Sequence, residues 1–406
     1  MSSHDEKVVT VHIDRFSGGQ GLMKTAGGIG VLGLAAALVG LFSSDKAAAY
    51  SYLVAFSYWA GIAITSLAFL MILHTFRAKW PTLVRRPLEG MATSVLVMAL
   101  LFVPLALSLS KIYSWMHPET FTGHAAHLME KKTHSYLNSG FFIGRSVGYF
   151  VVAIIISQLL FSWSNQQDSN GKEEMTLKLR KLGTGALPLM ALVLTFAGID
   201  WLMTLDPLWF STIFGVYYFG GSMGGVLAIW ILVVSTMMIK GTKNTFGPYV
   251  TVEQLHNISK LFFAFTAFWG YIAASQFILI WIAGLPEETP FYIIRMRSGW
   301  AWVGLVLIFA RFLIPFFALL SRARKRDPRK MRFWAVWVLV LHFLDLYWLV
   351  FPTVNEEHAT FHWTLIPAWL GIGGIATAFV VWRLRGQNMV PVKDPYLSTS
   401  LRYRQP

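Results

Sequence analysis

Long apolar runs alternate with short polar segments along almost the whole chain. A helix needs roughly 20 apolar residues to cross the hydrocarbon core of a bilayer. The runs of about this length are 23–42, 47–73, 90–110, 138–163, 184–204, 211–239, 257–284, 298–320, 332–351 and 362–382. None of them alternates like a membrane barrel strand, so helices must satisfy the backbone hydrogen bonds in lipid. The pattern predicts an all-α, polytopic membrane protein with ten transmembrane helices.

Composition supports this prediction. Hydrophobic residues make up 55% of the chain and charged residues only 13%, and the mean hydropathy is +0.54. The first 22 residues are polar and hold no short apolar core followed by a cleavage site. We therefore expect no removable signal peptide.

The positions of lysine and arginine predict the orientation. With the N-terminus inside, about three quarters of the 34 lysines and arginines fall in inner segments. Both termini are therefore expected in the cytoplasm, and the same excess explains the net charge of +14. The basic run 322–332 lies between two spans, which favours contact with anionic lipid and not with nucleic acid.

The sequence contains no cysteine. This excludes disulfides, thiolate zinc sites, ordinary iron–sulfur clusters and covalently attached haem. A haem held by two histidines would need His74 and His342, which lie at different depths of their spans. If the protein serves a redox reaction, we expect the electrons to move on a partner or on a diffusible quinone.

Five charged residues interrupt the apolar runs: Arg145, Asp200, Lys260, Arg311 and Asp345. A charge near the bilayer centre costs several kcal/mol, so such residues usually face a bundle interior or a water-filled path. They indicate proton, ion or redox-coupled work inside the membrane.

A weak internal repeat links two of these charges. Asp200 precedes Pro207 by seven residues, and Asp345 precedes Pro352 by the same interval. This spacing predicts both aspartates roughly 10 Å inside the outer helix end. Since four spans separate them, the repeat predicts two four-helix bundles, helices 2–5 and 6–9, with helices 1 and 10 as additions.

The predicted domains follow from this division. A cytoplasmic N-terminal arm (1–22) precedes the first membrane helix with its outer turn (23–46). The first bundle (47–204) contains the outer loop 111–137, and the second bundle covers 205–351. The last membrane helix (352–384) precedes a cytoplasmic C-terminal tail (385–406). The polar inner segment 164–183 is interpreted as a flexible hinge, and the histidine-bearing loop 111–137 as a solvated surface that faces a partner.

The stretch from Ala197 to Gly215, AGIDWLMTLDPLWFSTIFG, followed by YYFGGSM from Tyr217, resembles the NrfD-like membrane subunits related to polysulfide reductase. It is most similar to the smaller NrfD-like subunit of alternative complex III, the bacterial quinol:cytochrome c (electron acceptor) oxidoreductase. The resemblance implies the same two four-helix bundles and a subunit of the bacterial inner membrane without its own redox centre.

The resemblance also implies partners and cofactors. The partners are a larger NrfD-like sister subunit, an iron–sulfur/molybdopterin-like subunit and haem c subunits, with a terminal oxidase as a further candidate. Menaquinone or its quinol belongs to the complex, and haem c and iron–sulfur clusters belong to the partners. No cofactor is expected on this chain, and the productive quinol site is expected on the larger sister.

Within such a complex, the residues fit a transmembrane proton route. The candidates are His342, Asp345, Arg311, Lys260, Tyr271, Ser275, Asp200, Arg145 and Asp206. Histidine titrates near neutrality, and burial raises the pKa of a carboxyl group toward it. Tyr271 and Ser275 share a helix face, as do His342 and Asp345.

Structural roles compete with the proton route. Arg145 with Asp200, and Arg311 with Asp345, can be neutralising pairs. Asp206 before Pro207 fits a helix N-cap, Lys260 can snorkel to the inner surface, and His342 can be a hydrogen-bonded core residue. For the whole chain, the alternatives are a proton- or ion-coupled transporter and a structural scaffold.

Overall fold

The computed structural model describes residues 13–43 and 45–404, and within these ranges all regular structure is helical. The helices are α1 (Gln20–Leu41), α2 (Lys46–Thr75), α3 (Arg86–Thr93), α4 (Val95–Ala106), α5 (Leu109–Ile112), α6 (Gly123–Ser135), α7 (Ser139–Asn170), α8 (Glu173–Trp201), α9 (Phe214–Lys240), α10 (Val252–Ala283), α11 (Pro290–Arg295), α12 (Ser298–Val306), α13 (Ile314–Leu320), α14 (Arg322–Lys325), α15 (Pro328–Val350), α16 (Leu365–Leu384) and α17 (Leu397–Leu401). Short 3-10 turns cover Thr82–Val84, Ser114–Met116, Pro118–Thr120, Met203–Leu205 and Phe351–Thr353, and a π-helical segment, Leu307–Leu313, joins α12 to α13.

The described residues contain 10 helices that are long and apolar enough to cross a membrane. The prediction of an all-helical chain with ten such helices is therefore confirmed. The third span begins earlier than predicted: it covers 86–106, is divided at Ser94 into α3 and α4, and contains Pro104 inside α4. Most of the predicted N-terminal arm, residues 1–12, lies outside the described residues.

The predicted hinge at 164–183 is wrong. Helix α7 continues to Asn170, and α8 begins at Glu173, so only a two-residue turn separates them. Gly171 makes this turn with φ of 64°, a left-handed conformation that glycine adopts without a Cβ clash. Polar residues at helix ends exposed to water were therefore mistaken for a linker.

The helices contact one another in two rings. Helix α2 contacts α3 and α4, these contact α7, α7 contacts α8, and α8 returns to α2. In the same order, α9 contacts α10, α10 contacts α13, the π-helical segment contacts α15, and α15 returns to α9. The two rings also contact each other. Helices α2 and α8 of the first ring pack against α9, and α15 of the second ring packs against α2.

Helices α1 and α16 pack closely together outside these rings. A Cβ added to Gly33 would lie 2.6 Å from the Pro367 carbonyl oxygen, and one added to Gly374 would lie 2.5 Å from that of Ala26. Because no larger residue fits at these points, small side chains let the two backbones touch, as in other membrane helix pairs. The Gly- and Ala-rich span α1 is therefore a packing helix.

The C-terminal tail is part of the fold. The Ser400 hydroxyl donates a hydrogen bond to the Trp80 carbonyl and accepts one from the Leu83 amide, at 2.7 and 3.1 Å. The Gln254 side chain donates to the Ser400 carbonyl at 2.8 Å. The tail thus connects the turn before α3 with the start of α10, which the sequence interpretation as a terminal tail did not predict.

Candidate functional site

A buried ion pair joins the π-helical segment to α15. The Arg311 Nη1 and Asp345 Oδ2 atoms lie 2.9 Å apart, and the two side chains are 3% and 1% exposed. Arg311 also donates to the Leu341 carbonyl oxygen at 2.9 Å, and its Nη2 lies 3.2 Å from His342 Nδ1. The Arg311 guanidinium group therefore has three hydrogen-bond acceptors within reach.

Three aromatic side chains complete this cluster, which we call the α9–α15 cluster. The Tyr217 hydroxyl donates a short hydrogen bond to Asp345 Oδ1. The guanidinium carbon of Arg311 lies 3.9 Å from the Trp269 ring centroid, a cation–π contact. The rings of Tyr58 and His342 lie 5.0 Å apart, which brings α2 to the same place.

His342 has one ring nitrogen without a partner. Since Arg311 is always a donor, Nδ1 serves as the acceptor and the ring proton belongs on Nε2. No hydrogen-bond partner for this Nε2 lies among the described residues, although the side chain is 1% exposed. A buried donor without a partner is costly, so this position is a candidate for function.

Local backbone structure aims Arg311 into the cluster. Pro315 has no amide hydrogen, so it cannot donate to the Arg311 carbonyl, and its ring crowds that group. The preceding turn widens, and the Ile314 amide bonds to the Phe309 carbonyl, five residues back. Such π-helical segments often lie at functional sites. On α9, Gly221 leaves room, because an added Cβ would lie 3.0 Å from His342 Cε1 and 3.1 Å from Arg311 Nη2.

A second buried ion pair joins α7 to α8. Arg145 Nε lies 2.9 Å from Asp200 Oδ2, and Nη2 lies 3.0 Å from Oδ1. The hydroxyls of Tyr136 and Tyr149 donate to the two oxygens of the same carboxylate, at 2.9 and 2.7 Å. Asp200 is fully buried, and we call this group the α7–α8 cluster. Burial, followed by the charge of Asp200, raises the pKa of the Tyr136 hydroxyl.

The two clusters occupy corresponding places. Each ion pair joins the third and fourth spans of one helix ring, with arginine on the third and aspartate on the fourth. Each carboxylate also accepts hydrogen bonds from tyrosine. The pairings that the sequence offered as alternatives, Arg145 with Asp200 and Arg311 with Asp345, are therefore present.

The predicted depths of the aspartates need correction. Asp345 precedes the end of α15 at Val350 by five residues, about 7.5 Å at the rise of a helix. Asp200, however, is the last residue but one of α8, which ends at Trp201. A proline sets only the latest point at which a helix must have ended, so equal spacing to proline did not give equal depth.

The N-cap interpretation of Asp206 is wrong. Its Oδ1 accepts hydrogen bonds from the Leu208 and Trp209 amides, at 3.1 and 3.2 Å. These close a local turn, and α9 begins only at Phe214 with Ile213 as its N-cap. Nearby, Lys132 donates to the Pro207 carbonyl at 2.6 Å. Burial lowers the pKa of Lys132, and the charge of Asp206 opposes that shift.

Other proton-route candidates lie away from both clusters. Lys260 is exposed on α10, in agreement with the snorkelling alternative, and Tyr271 is 64% exposed on the same helix. Ser275 is half-buried. The structure therefore brings together His342, Asp345 and Arg311, and separately Asp200 and Arg145, but it does not place Lys260 or Tyr271 in a bundle interior.

The sequence did not predict a connected chain of polar groups near the loops at the predicted outer ends of the helices. Gln276 donates from Nε2 to the Tyr292 hydroxyl at 2.9 Å, and its Oε1 accepts from the Ser211 hydroxyl at 3.0 Å. Beside it, Arg295 donates to the carbonyl oxygens of Phe291 and Leu349, at 2.8 and 2.7 Å. Burial lowers the pKa of Arg295 to about 9, opposed by Tyr292, Asp206 and Tyr217.

An ionic cluster at the predicted inner ends of the helices was also missed. Glu89 binds Arg85 and Arg86 at 2.7 and 2.8 Å, and these arginines bind Asp394 and Asp168 at 2.9 and 2.6 Å. The sequence analysis counted both arginines among the inner segments and did not predict their burial. The sequence does contain a signal for these ion pairs, because Glu89 follows Arg85 at i+4 and Arg86 at i+3 on one helix face.

Fold and sites together define a multi-pass helical membrane protein with buried, hydrogen-bonded arginine–aspartate pairs. No model of a known protein family matches the chain, and no curated protein matches it.

Proposed function

We propose that this chain is a membrane subunit of a bacterial quinol:cytochrome c (electron acceptor) oxidoreductase of the alternative complex III type. In this proposal it has no redox centre of its own, supports quinol oxidation and carries a transmembrane proton route. The observation that carries the proposal is the pair of buried arginine–aspartate–tyrosine clusters at corresponding places of two helix rings. The resemblance of residues 197–223 to NrfD-like subunits supports it, since this stretch contributes Asp200 to one cluster and Tyr217 to the other.

The helix contacts support a division into two four-helix bundles. The rings α2–α8 and α9–α15 each contain four spans in the same order, and α1 with α16 lie outside them. Repeated units in membrane proteins commonly place ions or substrates where the units meet. Tyr58 of the first ring contacts His342 of the second, so the α9–α15 cluster lies at the boundary between the two rings.

Proton exchange at Asp345 needs a way to release Arg311. A carboxylate that accepts a proton loses most of its attraction for the guanidinium group. Arg311 already contacts the Leu341 carbonyl and His342 Nδ1, so it has acceptors that remain when Asp345 is neutral. The arginine thereby keeps its hydrogen bonds through both protonation states, which lowers the cost of the switch.

The outward part of the route runs from Asp345 to Tyr217. Beyond Tyr217, the polar chain Tyr292–Gln276–Ser211 leads toward the loop after α8. The positive charge of Arg295 beside this chain repels an excess proton and favours its onward release. The Tyr292 and Ser211 hydroxyls can each accept and release a proton, whereas the Gln276 amide is not basic and holds the two hydroxyls in position.

The partners and cofactors of the proposal come from the resemblance. They are a larger NrfD-like sister subunit, an iron–sulfur/molybdopterin-like subunit, haem c subunits and a terminal oxidase, in the bacterial inner membrane with both termini in the cytoplasm. Quinol is oxidised at the sister subunit, and haem c and iron–sulfur clusters transfer the electrons.

Purification from mild detergent, followed by mass spectrometry, tests the complex. Haem c and iron–sulfur subunits in stoichiometric amounts support the proposal, whereas a lone chain or a homo-oligomer contradicts it. The proton route is tested in liposomes that contain the purified complex, by measuring protons moved per quinol oxidised in Asp345→Asn and Asp200→Asn.

A control is needed because a lone buried arginine costs about 3–5 kcal/mol. The double variant Arg311→Gln with Asp345→Asn removes both charges and should assemble better than Asp345→Asn alone. The proposal requires this double variant to assemble and oxidise quinol with fewer protons moved. Unchanged proton movement would mean that the pair of Arg311 and Asp345 has only a structural role.

One observation favours a proton- or ion-coupled transporter as the second candidate. The eighth span is interrupted by the π-helical segment Leu307–Leu313, and irregular helices at mid-membrane are typical of transporters. Uptake of a solute by liposomes that contain this chain alone, driven by a proton gradient, would favour the transporter.

A further inference from the structure

An open pocket lies where the segment before α1 meets the end of α16, at the predicted inner ends of both helices. It has a volume of about 410 Å³, and its lining includes Arg15, Phe16, Met23, Trp382 and Arg385. Pockets that hold small ligands commonly measure about 300–1,000 Å³. None of these residues belongs to either arginine–aspartate cluster or to the proposed proton route.

Backbone contacts hold the two sides of the pocket together. The Phe16 amide donates a hydrogen bond to the Gln387 carbonyl, and the Gly386 amide donates one to the Phe16 carbonyl, both at 2.9 Å. At Gly19, directly before α1, an added Cβ would lie 2.8 Å from Val381 Cγ1 of α16. The two sides of the pocket are therefore fixed relative to each other.

Two arginines bring positive charge to the pocket. Arg15 is exposed and Arg385 is half-buried, and neither forms an ion pair with a carboxylate of the part of the chain that the structure describes. The nearby Arg383 is different, because it donates to the Gln158 side chain at 2.7 Å. None of the described residues that line the pocket is acidic. Arg15 and Arg385 are thus left to bind an anion from outside the chain.

The pocket also has an apolar side. Trp382 is 58% exposed and Met23 is half-buried, and Leu22, next to Met23, is 55% exposed. Tryptophan is enriched at membrane–water interfaces, where its ring meets both apolar and polar surroundings. A small anion gains nothing from these side chains, whereas the acyl chains of a phospholipid gain from contact with them.

The charged and the apolar parts of the pocket together match an anionic phospholipid. Arginine fits the oxygen geometry of phosphate, and basic pockets between membrane helices on the inner side bind the head groups of anionic lipids. We propose that this pocket binds an anionic phospholipid of the inner leaflet, with the phosphate on Arg15 and Arg385 and an acyl chain against Trp382. The inference is independent of the proposed function.

Binding at this place has a consequence for stability. Arg15 precedes α1 and Arg385 follows α16, so one bound head group connects two segments that are distant in sequence. A ligand that binds the folded chain and not the unfolded chain stabilises the fold. The lipid should therefore raise the temperature of unfolding.

Thermal unfolding of the purified, delipidated protein tests the proposal. Phosphatidylglycerol, phosphatidylcholine and glycerol 3-phosphate, an anion without acyl chains, are each titrated at matched ionic strength. The proteins are the unchanged chain, Arg15→Gln, Arg385→Gln and Lys24→Gln. The last is the control, because Lys24 is an exposed cation near the start of α1 that does not line the pocket. Since Arg15 is exposed and has no carboxylate partner among the described residues, Arg15→Gln without lipid should unfold at the same temperature as the unchanged chain.

Phosphatidylglycerol should raise the unfolding temperature of the unchanged chain and of Lys24→Gln by several degrees, and phosphatidylcholine should not. In Arg15→Gln and Arg385→Gln the Kd for phosphatidylglycerol should rise about tenfold or more, the effect of one lost hydrogen bond to a charged group. Equal shifts in all four proteins, equal shifts with both lipids, or no shift at all would overturn the proposal. An equally large, arginine-dependent shift with glycerol 3-phosphate would also overturn it, because the acyl chains would then contribute nothing.

Discussion

The Tyr217 hydroxyl donates a hydrogen bond to the Asp345 carboxylate and so joins α9 to α15. Tyr217 follows Asp200 by seventeen residues, and Asp200 belongs to the other cluster. A single segment, from the end of α8 to the start of α9, therefore reaches both buried ion pairs. The two carboxylates are therefore linked by this segment and by the hydrogen bond from Tyr217 to Asp345.

Replacing Tyr217 with phenylalanine should lower the stability of the folded protein and slow proton exchange at Asp345. A hydrogen bond to a charged group contributes about 1.5–3 kcal/mol, so we expect unfolding at a lower temperature in detergent. In liposomes the variant should move fewer protons per quinol oxidised. Tyr249→Phe is the control, because Tyr249 is a half-buried residue of the loop between α9 and α10. Equal effects of the two substitutions would contradict the role given to Tyr217.

Gly221→Ala should disturb the cluster, whereas Gly224→Ala on the same helix should not. The added Cβ would lie 3.0 Å from His342 at position 221 but 3.8 Å from Val338 at position 224. Overpacking costs about 1–3 kcal/mol, while alanine in an open helix position gains up to about 1 kcal/mol. Thermal unfolding of both variants checks this, and a stabilised Gly221→Ala would show that the cluster adapts freely.

Asp394→Asn should destabilise the chain by loosening its C-terminal tail. The carboxylate is buried and binds Arg85, which keeps Glu89 as a second partner. We therefore expect a loss of about 1–3 kcal/mol, less than for a completely unpaired charge. Limited proteolysis should cut the tail of this variant faster than that of Glu287→Gln, which changes an exposed acid. Equal cleavage rates would mean that the tail is held by its apolar residues and Ser400.

Arg295 should make stability depend on pH in alkaline solution. Burial lowers its pKa to about 9 in the folded chain, below its ordinary value of 12.5. Above about pH 9 the unfolded chain thus binds more protons at this residue, and its contribution to stability rises with pH by at most about 1.4 kcal/mol per unit. The difference in unfolding temperature between the unchanged chain and Arg295→Met, from pH 7 to 10, isolates this contribution. A difference that stays constant over that range would contradict the expectation.

The sequence alone predicted those features that depend on a single residue and on the solvent around it, such as a charge inside an apolar run. An arginine or aspartate inside an apolar run must find a partner, so Arg311 and Asp345 could be recognised without a structure. The sequence did not fix helix rotation, and Tyr271 therefore faces outward on α10 although it was expected in a proton route. Charges next to helix ends were equally ambiguous: Arg86 is fully buried, whereas an arginine in that position is commonly solvated. The spacing of apolar residues also could not reveal the π-helical turn before Pro315, because a proline inside a helix can produce either a kink or a widened turn.

The close contact of α1 with α16 has a consequence for biogenesis. Among the described spans, α1 leaves the ribosome first and has α16, the last of them, as its main neighbour. Only 17% of the most apolar stretch of α1 is buried inside the chain. During synthesis α1 must therefore wait in the bilayer, exposed to lipid, until translation of α16 is complete. Docking of the two glycine-bearing faces would then follow the synthesis of every other described span, and a ribosome stalled before α16 would leave α1 free to associate with the wrong neighbour.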